Sequence, residues 1–123
     1  MTPELTIRSF STDQFILDKI FYSNHYRIKP VEPENGPIVL DLGAHCGYFT
    51  FGALAMGAKK VYAFEPFIEN FKILLKNASH VEFKKLETHQ VGVYVQSSNL
   101  KFYYPEPRKG QGMLFDFGNI EVE

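Results

Sequence analysis

The residues Ile38-Val39-Leu40-Asp41-Leu42 stand between Pro37 and Gly43, and they run directly into a glycine-bounded loop and a second apolar stretch, Tyr48 to Met56. No other feature of the chain constrains its fold as strongly. A short apolar run closed by Pro and Gly reads as a strand buried on both faces of a parallel sheet. A segment that is apolar all round and stopped by Gly57 reads as a buried helix. The pattern then repeats. Val61-Tyr62-Ala63-Phe64 is a second buried strand ending at Glu65-Pro66, and Phe67, Phe71, Leu74, Leu75 and Ala78 mark the apolar side of an amphipathic helix with Glu69, Lys72 and Lys76 on its wet side. Two such strand-helix units with right-handed crossovers make the first half of an open, Rossmann-like α/β sheet.

The flanks are less regular. Ser11 followed by Gln14 has the spacing of a capping box, and Phe15, Ile16, Ile20 and Phe21 predict a helix from about Thr12 to Tyr22. Tyr26-Arg27-Ile28 reads as a short extended piece, and Pro30, Pro33, Gly36 and Pro37 make a loop. From Val81 the period becomes two. Val81-Glu82-Phe83 predicts a third strand, and Val91 to Val95 with Leu100 to Tyr104 predict a hairpin. The fold class is therefore α/β: a partly parallel open sheet with helices on its faces and a C-terminal β-hairpin. It forms a single domain over residues 1–123, with an N-terminal helix and loop (1–37), a βαβα unit (38–80) and strands with a hairpin (81–123). After Asn77 the pattern supplies strands and loops but no further helix to cover a parallel sheet, so the domain reads as truncated, and either self-association or a marginal fold that a longer chain would complete is expected.

Composition narrows the function. The chain has 123 residues, 45% hydrophobic, with 13 basic against 14 acidic residues and a formal net charge of -1. That charge lacks the cationic field of a general nucleic-acid binder, and no nucleic-acid partner is expected. Neither a signal-peptide pattern nor an apolar run of roughly 18 residues is present, so the expectation is a cytoplasmic protein with no membrane partner. The single cysteine, Cys46, has no partner for an intramolecular disulfide. Asn77-Ala78-Ser79 fits a glycosylation sequon, but such triplets arise by chance.

Ligands of open α/β sheets bind beyond the C-terminal ends of the strands, here Asp41 to Gly47 and Glu65-Pro66. Gly43 permits a positive φ or a close backbone approach, and Gly47 lets the next helix sit close, with N–H groups at its start open to an anion. Glu65, about 20 residues on, is placed to accept hydrogen bonds from ribose hydroxyls. These features describe a nucleoside pocket. His45 and Tyr48 stand where a dinucleotide fingerprint needs its second and third glycines, and the Gly-Lys-Ser/Thr of a phosphate-binding loop is missing, which disfavours a dehydrogenase. His45 and Cys46 lack further ligands to complete a metal set and read as loop-shaping, with His45 able to line the pocket. Phe102-Tyr103-Tyr104 with Arg108 and Lys109 reads as a strand face and a solvated loop rather than a base-stacking platform.

The run Val39 to Thr50, then Val61 to Pro66, then Glu69-Asn70-Phe71 with Leu74 and Asn77, closely resembles the FkbM family of S-adenosylmethionine-dependent methyltransferases. Ser9 to Asp13 upstream, and Gly112 to Phe115 with Ile120 to Glu123 downstream, also fit that family. The resemblance covers the N-terminal half or so of the family's domain and stops before its acidic Asp-x-Glu-Gly segment. It implies S-adenosylmethionine as cofactor, held by Asp41, Gly43, Ala44, His45, Gly47, Glu65 and Pro66. It also implies methyl transfer to a hydroxyl of a small molecule or glycan. No catalytic base is named by it. The alternative is a non-catalytic S-adenosylmethionine- or nucleotide-binding module that acts by association.

Overall fold

In the computed structural model, which describes residues 4–82 and 84–97, the chain runs α1 (Asp13–Phe21), β1 (Ile38–Leu42), α2 (Tyr48–Ala55), β2 (Lys60–Phe64), α3 (Ile68–Ala78) and β3 (Leu86–His89). The strands form one parallel sheet in the order β1-β2-β3. This is the α/β, Rossmann-like arrangement that the alternation of apolar runs predicts. None of the described helices is long and apolar enough to cross a membrane.

Register explains the core. Val39 pairs with Val61 and Asp41 with Ala63, while Val61 and Ala63 pair with Leu86 and Thr88. These residues share one face, and Val61, Ala63 and Leu86 are buried there in a cluster with Phe51 and Ala53 of α2 and Leu74 of α3. Leu74 is fully buried, so truncating it to Ala would cost about 2–5 kcal/mol. A second cluster of Ile20, Cys46 and Tyr48, flanked by Leu5 and Ile16, joins α1 to the start of α2.

The opposite face differs from expectation. Ile38 and Leu40 are each 64% exposed and Leu42 is 56% exposed. Among the described residues, the strand expected to be buried on both faces is covered on one. Both crossover helices lie on the Val39–Ala63 side, and β1 is an edge of the described sheet. An apolar run states that two faces favour burial; it does not state which segment covers the second. Beside this stripe the β2 and β3 side chains are partnered: Lys60 Nζ bonds Glu87 Oε2 at 3.1 Å and lies over the Tyr62 ring, and Phe64 stacks on His89.

The other departures are local. Val81-Glu82-Phe83 is not the third strand. The Val81 N–H donates to Ala78 O and the Lys85 N–H to Glu82 O, so the chain turns here, and Phe83 lies outside the described residues. The strand begins at Leu86, where an apolar side chain can enter the core opposite Val61. Val91 to Val95 form no strand and are exposed, and Leu100 to Tyr104 lie outside the described residues. Tyr26-Arg27-Ile28 is closed into a turn: Arg27 has φ +53, and the Asn24 side chain accepts from the Ile28 N–H and donates to its carbonyl. Ser11 Oγ accepts the Asp13 N–H at the start of α1, but Gln14 reaches forward to Asp18 rather than back as a capping box requires.

Candidate ligand loop at the ends of β1 and β2

The loop between β1 and α2 is tied to its neighbour by main-chain bonds. The N–H groups of Gly43 and Ala44 both donate to Phe64 O at 2.9 Å, and the Gly47 N–H donates to Ala44 O at 2.8 Å. Gly43 has φ +82, and a Cβ built on it would meet nothing within 4 Å. Space therefore lies beside a loop residue whose backbone an L side chain resists. Gly47 has φ +89, and its Cβ would lie 2.5 Å from the Phe51 ring and 2.6 Å from Leu74 Cδ1. This glycine seats α2 against α3. Ala44 is buried in the main core, so it shapes the loop from beneath.

Glu65 fastens the two strand ends together. Its Oε2 accepts the His45 N–H at 2.7 Å and its Oε1 accepts the Phe67 N–H at 2.8 Å. The residue is 5% exposed. Burial dominates its protonation and pushes the carboxyl above its usual value, although these donors oppose the shift. Pro66 is half-buried directly after it.

Asp41 is buried at the end of β1. It faces α2, where its carboxylate accepts the Thr50 hydroxyl. Burial raises its carboxyl, the Thr50 bonds partly offset this, and the charge of Glu65 adds to it. A cleft of about 360 Å³ opens beside these residues, between Ile16 and Tyr26 on one side and Leu40, Leu42, Gly43 and His45 on the other.

A polar cluster that sequence reasoning missed lies behind the loop. Arg8, Asp13, Tyr48 and Asn70 are joined there by hydrogen bonds, and the buried Asn77 accepts from the Thr6 N–H and donates to Cys46 O at 3.0 Å. The position of Asn77 removes it from consideration as a glycosylation site. Asn70 and Asn77 lie seven residues apart on the buried side of α3. Two amides on an apolar stripe at that spacing are a legible signal of buried hydrogen bonding.

Ligand-type atoms of Asp13, His45 and Cys46 lie within 4.8 Å of one another. The group does not suit a metal. The Arg8 guanidinium already bonds both Asp13 and His45. Burial, reinforced by the charge of Asp13, pushes the Cys46 thiol up to about 12, so it is protonated at neutral pH.

No protein-family model and no curated protein matches this chain. Among solved structures it is similar to a provisionally assigned RNA methyltransferase from Pyrococcus horikoshii, at 29% identity and a TM-score of 0.46, over 70% of this chain and 39% of that one. It is also similar to a provisionally assigned S-adenosylmethionine-dependent methyltransferase from Listeria monocytogenes, at 18% identity and a TM-score of 0.47, over 67% of this chain and 36% of that one. The chain thus spans less than two fifths of either protein's length.

Proposed function

We propose that the Gly43–Gly47 loop and Glu65 bind S-adenosylmethionine, and that the chain is the cofactor-binding part of a methyltransferase. One observation carries the reading: a buried carboxylate at the end of β2 grips the His45 N–H, beside a positive-φ glycine with open space where its Cβ would be. The residues fit an adenosyl group. A carboxylate offers about four acceptor sites. Glu65 uses two on the N–H groups of His45 and Phe67, which leaves acceptor capacity for ribose hydroxyls.

When bound, a sulfonium cofactor supplies an electrophilic methyl group whose transfer releases a neutral thioether. This chain's part is to hold the nucleoside and keep the loop fixed. The motif run from Val39 to Asn77 supports the FkbM type and, with it, a sugar or natural-product hydroxyl as acceptor. The rival reading, a non-catalytic cofactor-binding module, is favoured by the engagement of the loop's own titratable side chains: Asp41 is bonded to Thr50 and His45 to Arg8.

Isothermal titration with S-adenosylhomocysteine and with NAD tests the proposal. It expects binding of the first and none of the second. Binding of NAD alone, or of neither compound, overturns it.

A further inference from the structure

Arg8 precedes the loop by more than thirty residues in sequence, yet its guanidinium joins three elements behind it. Nη2 donates to Asp13 Oδ1 at 2.7 Å and to His45 Nε2 at 3.2 Å, Nη1 donates to Asn70 Oδ1 at 2.9 Å, and Nε donates to Asp13 Oδ2 at 2.9 Å. Asp13 is fully buried and also accepts from the Tyr48 hydroxyl at 2.9 Å. The arrangement specifies a tautomer. A guanidinium has donors only, so Nε2 of His45 must be the bare, accepting nitrogen, and the ring proton sits on Nδ1. The rival partner that would place a proton on Nε2 is Asp13 Oδ1, and at 3.8 Å it is out of hydrogen-bond range.

The backbone of the same residue is equally constrained. His45 has φ +56, the left-handed region that non-glycine residues seldom enter and that Asn, Asp and His enter most readily, and its N–H is the one that Glu65 accepts. Arg8 therefore holds the ring of His45 while Glu65 holds its main chain.

We propose that Arg8 is a positioning residue for the ligand loop: its guanidinium fixes the His45 ring as the Nδ1–H tautomer and so stabilises the left-handed turn that delivers the His45 N–H to Glu65. Its consequence for cofactor affinity rests on the reading of the loop as an S-adenosylmethionine site; the tautomer and the turn do not. The bland alternative is that Arg8 and Asp13 only fasten the N-terminal segment to α1. That role would leave the state of His45 indifferent to Arg8.

The test uses 15N-labelled full chain. Long-range 1H–15N correlation reads the ring tautomer, with the His45 signals assigned from their loss in His45→Asn, and amide exchange reads the His45 N–H. The disrupting variant is Arg8→Met with Asp13→Asn, which leaves no uncompensated buried charge. We expect the Nδ1–H form in the wild type and mixed tautomers in the double variant. There the His45 amide should exchange about tenfold faster and S-adenosylhomocysteine should bind about tenfold more weakly.

The Nε2–H form in the wild type overturns the proposal. So does a folded double variant with unchanged His45 exchange. If the wild type binds no S-adenosylhomocysteine, the ligand reading fails, and the tautomer and exchange measurements still decide the role of Arg8. If the double variant does not fold, the wild-type tautomer decides it.

Discussion

The backbone N–H of His45 donates to Glu65 Oε2 at 2.7 Å, joining the turn after β1 to the end of β2 across a separation of 20 residues. The acid that would meet a ribose is thus also the clamp that sets the shape of the loop. Removing it should affect both affinity and stability. In Glu65→Ala two N–H donors lose their acceptor, and we expect unfolding free energy to fall by about 1–3 kcal/mol and S-adenosylhomocysteine affinity to fall about ten- to a hundredfold. Urea melts and calorimetry on the same preparation check both; unchanged affinity would remove Glu65 from the ligand site.

The two loop glycines should separate by phenotype. Gly43→Ala places its Cβ in open space and bears only the positive-φ cost of about 1–2 kcal/mol, so it should stay folded while losing cofactor affinity. Gly47→Ala drives a Cβ into Phe51 and Leu74 and adds overpacking of about 1–3 kcal/mol to the same backbone cost. A Gly47→Ala protein as stable as Gly43→Ala in chemical denaturation would contradict this division.

Acid should reveal opposing carboxylates. Burial would raise the Asp13 carboxyl, but its bonds to Arg8 and the charge there outweigh that, and it is held below its ordinary 3.8. Its contribution is therefore present above pH 3.8 and is lost as pH falls through the lowered folded value. Asp41 and Glu65 are raised by burial, so they contribute stability below their unfolded values that is lost as pH rises through their raised ones. Stability should therefore rise as pH falls from neutral through the raised values of Asp41 and Glu65, and fall again below 3.8 as Asp13 takes up its proton. Asp13→Asn should leave Arg8 uncompensated, cost about 3–5 kcal/mol at pH 7 and abolish most of the acid-side fall. Thermal melts from pH 3 to pH 7 measure both arms.

The exposed stripe of Ile38, Leu40 and Leu42, on a strand at the edge of the described sheet, gives an expectation about association. Exposed apolar edges pair with other chains unless they are charged or covered. We predict that the protein self-associates in sedimentation velocity and that Leu40→Lys weakens this without lowering the melting temperature. Identical sedimentation of the two proteins would show that the stripe is not the contact.

What could be read from the sequence was set by periodicity. The runs at Ile38–Leu42 and Val61–Phe64 and the stripe through Phe71 and Leu74 place β1, β2 and α3 to within a residue or two, because burial on the helix-covered side demands them. β3 was not legible. Leu-Glu-Thr-His carries one apolar core residue, and its position is set by pairing with Val61 rather than by its own pattern. In the loop, the glycines and Glu65 were visible because their spacing is local. The inward turn of Asp41 onto Thr50, and the grip of Arg8 on His45, depend on contacts between distant segments that periodicity does not encode.

The most direct test of the central claim is the 1H–15N spectrum of the labelled protein titrated with S-adenosylhomocysteine. If the ends of β1 and β2 form the cofactor site, the largest saturable shifts fall on the amides of Gly43 to Gly47 and of Glu65 and Phe67. If the spectrum is unchanged at saturating ligand, or if the shifts centre elsewhere in the fold and leave Gly43, His45 and Phe67 untouched, the loop is not the cofactor site.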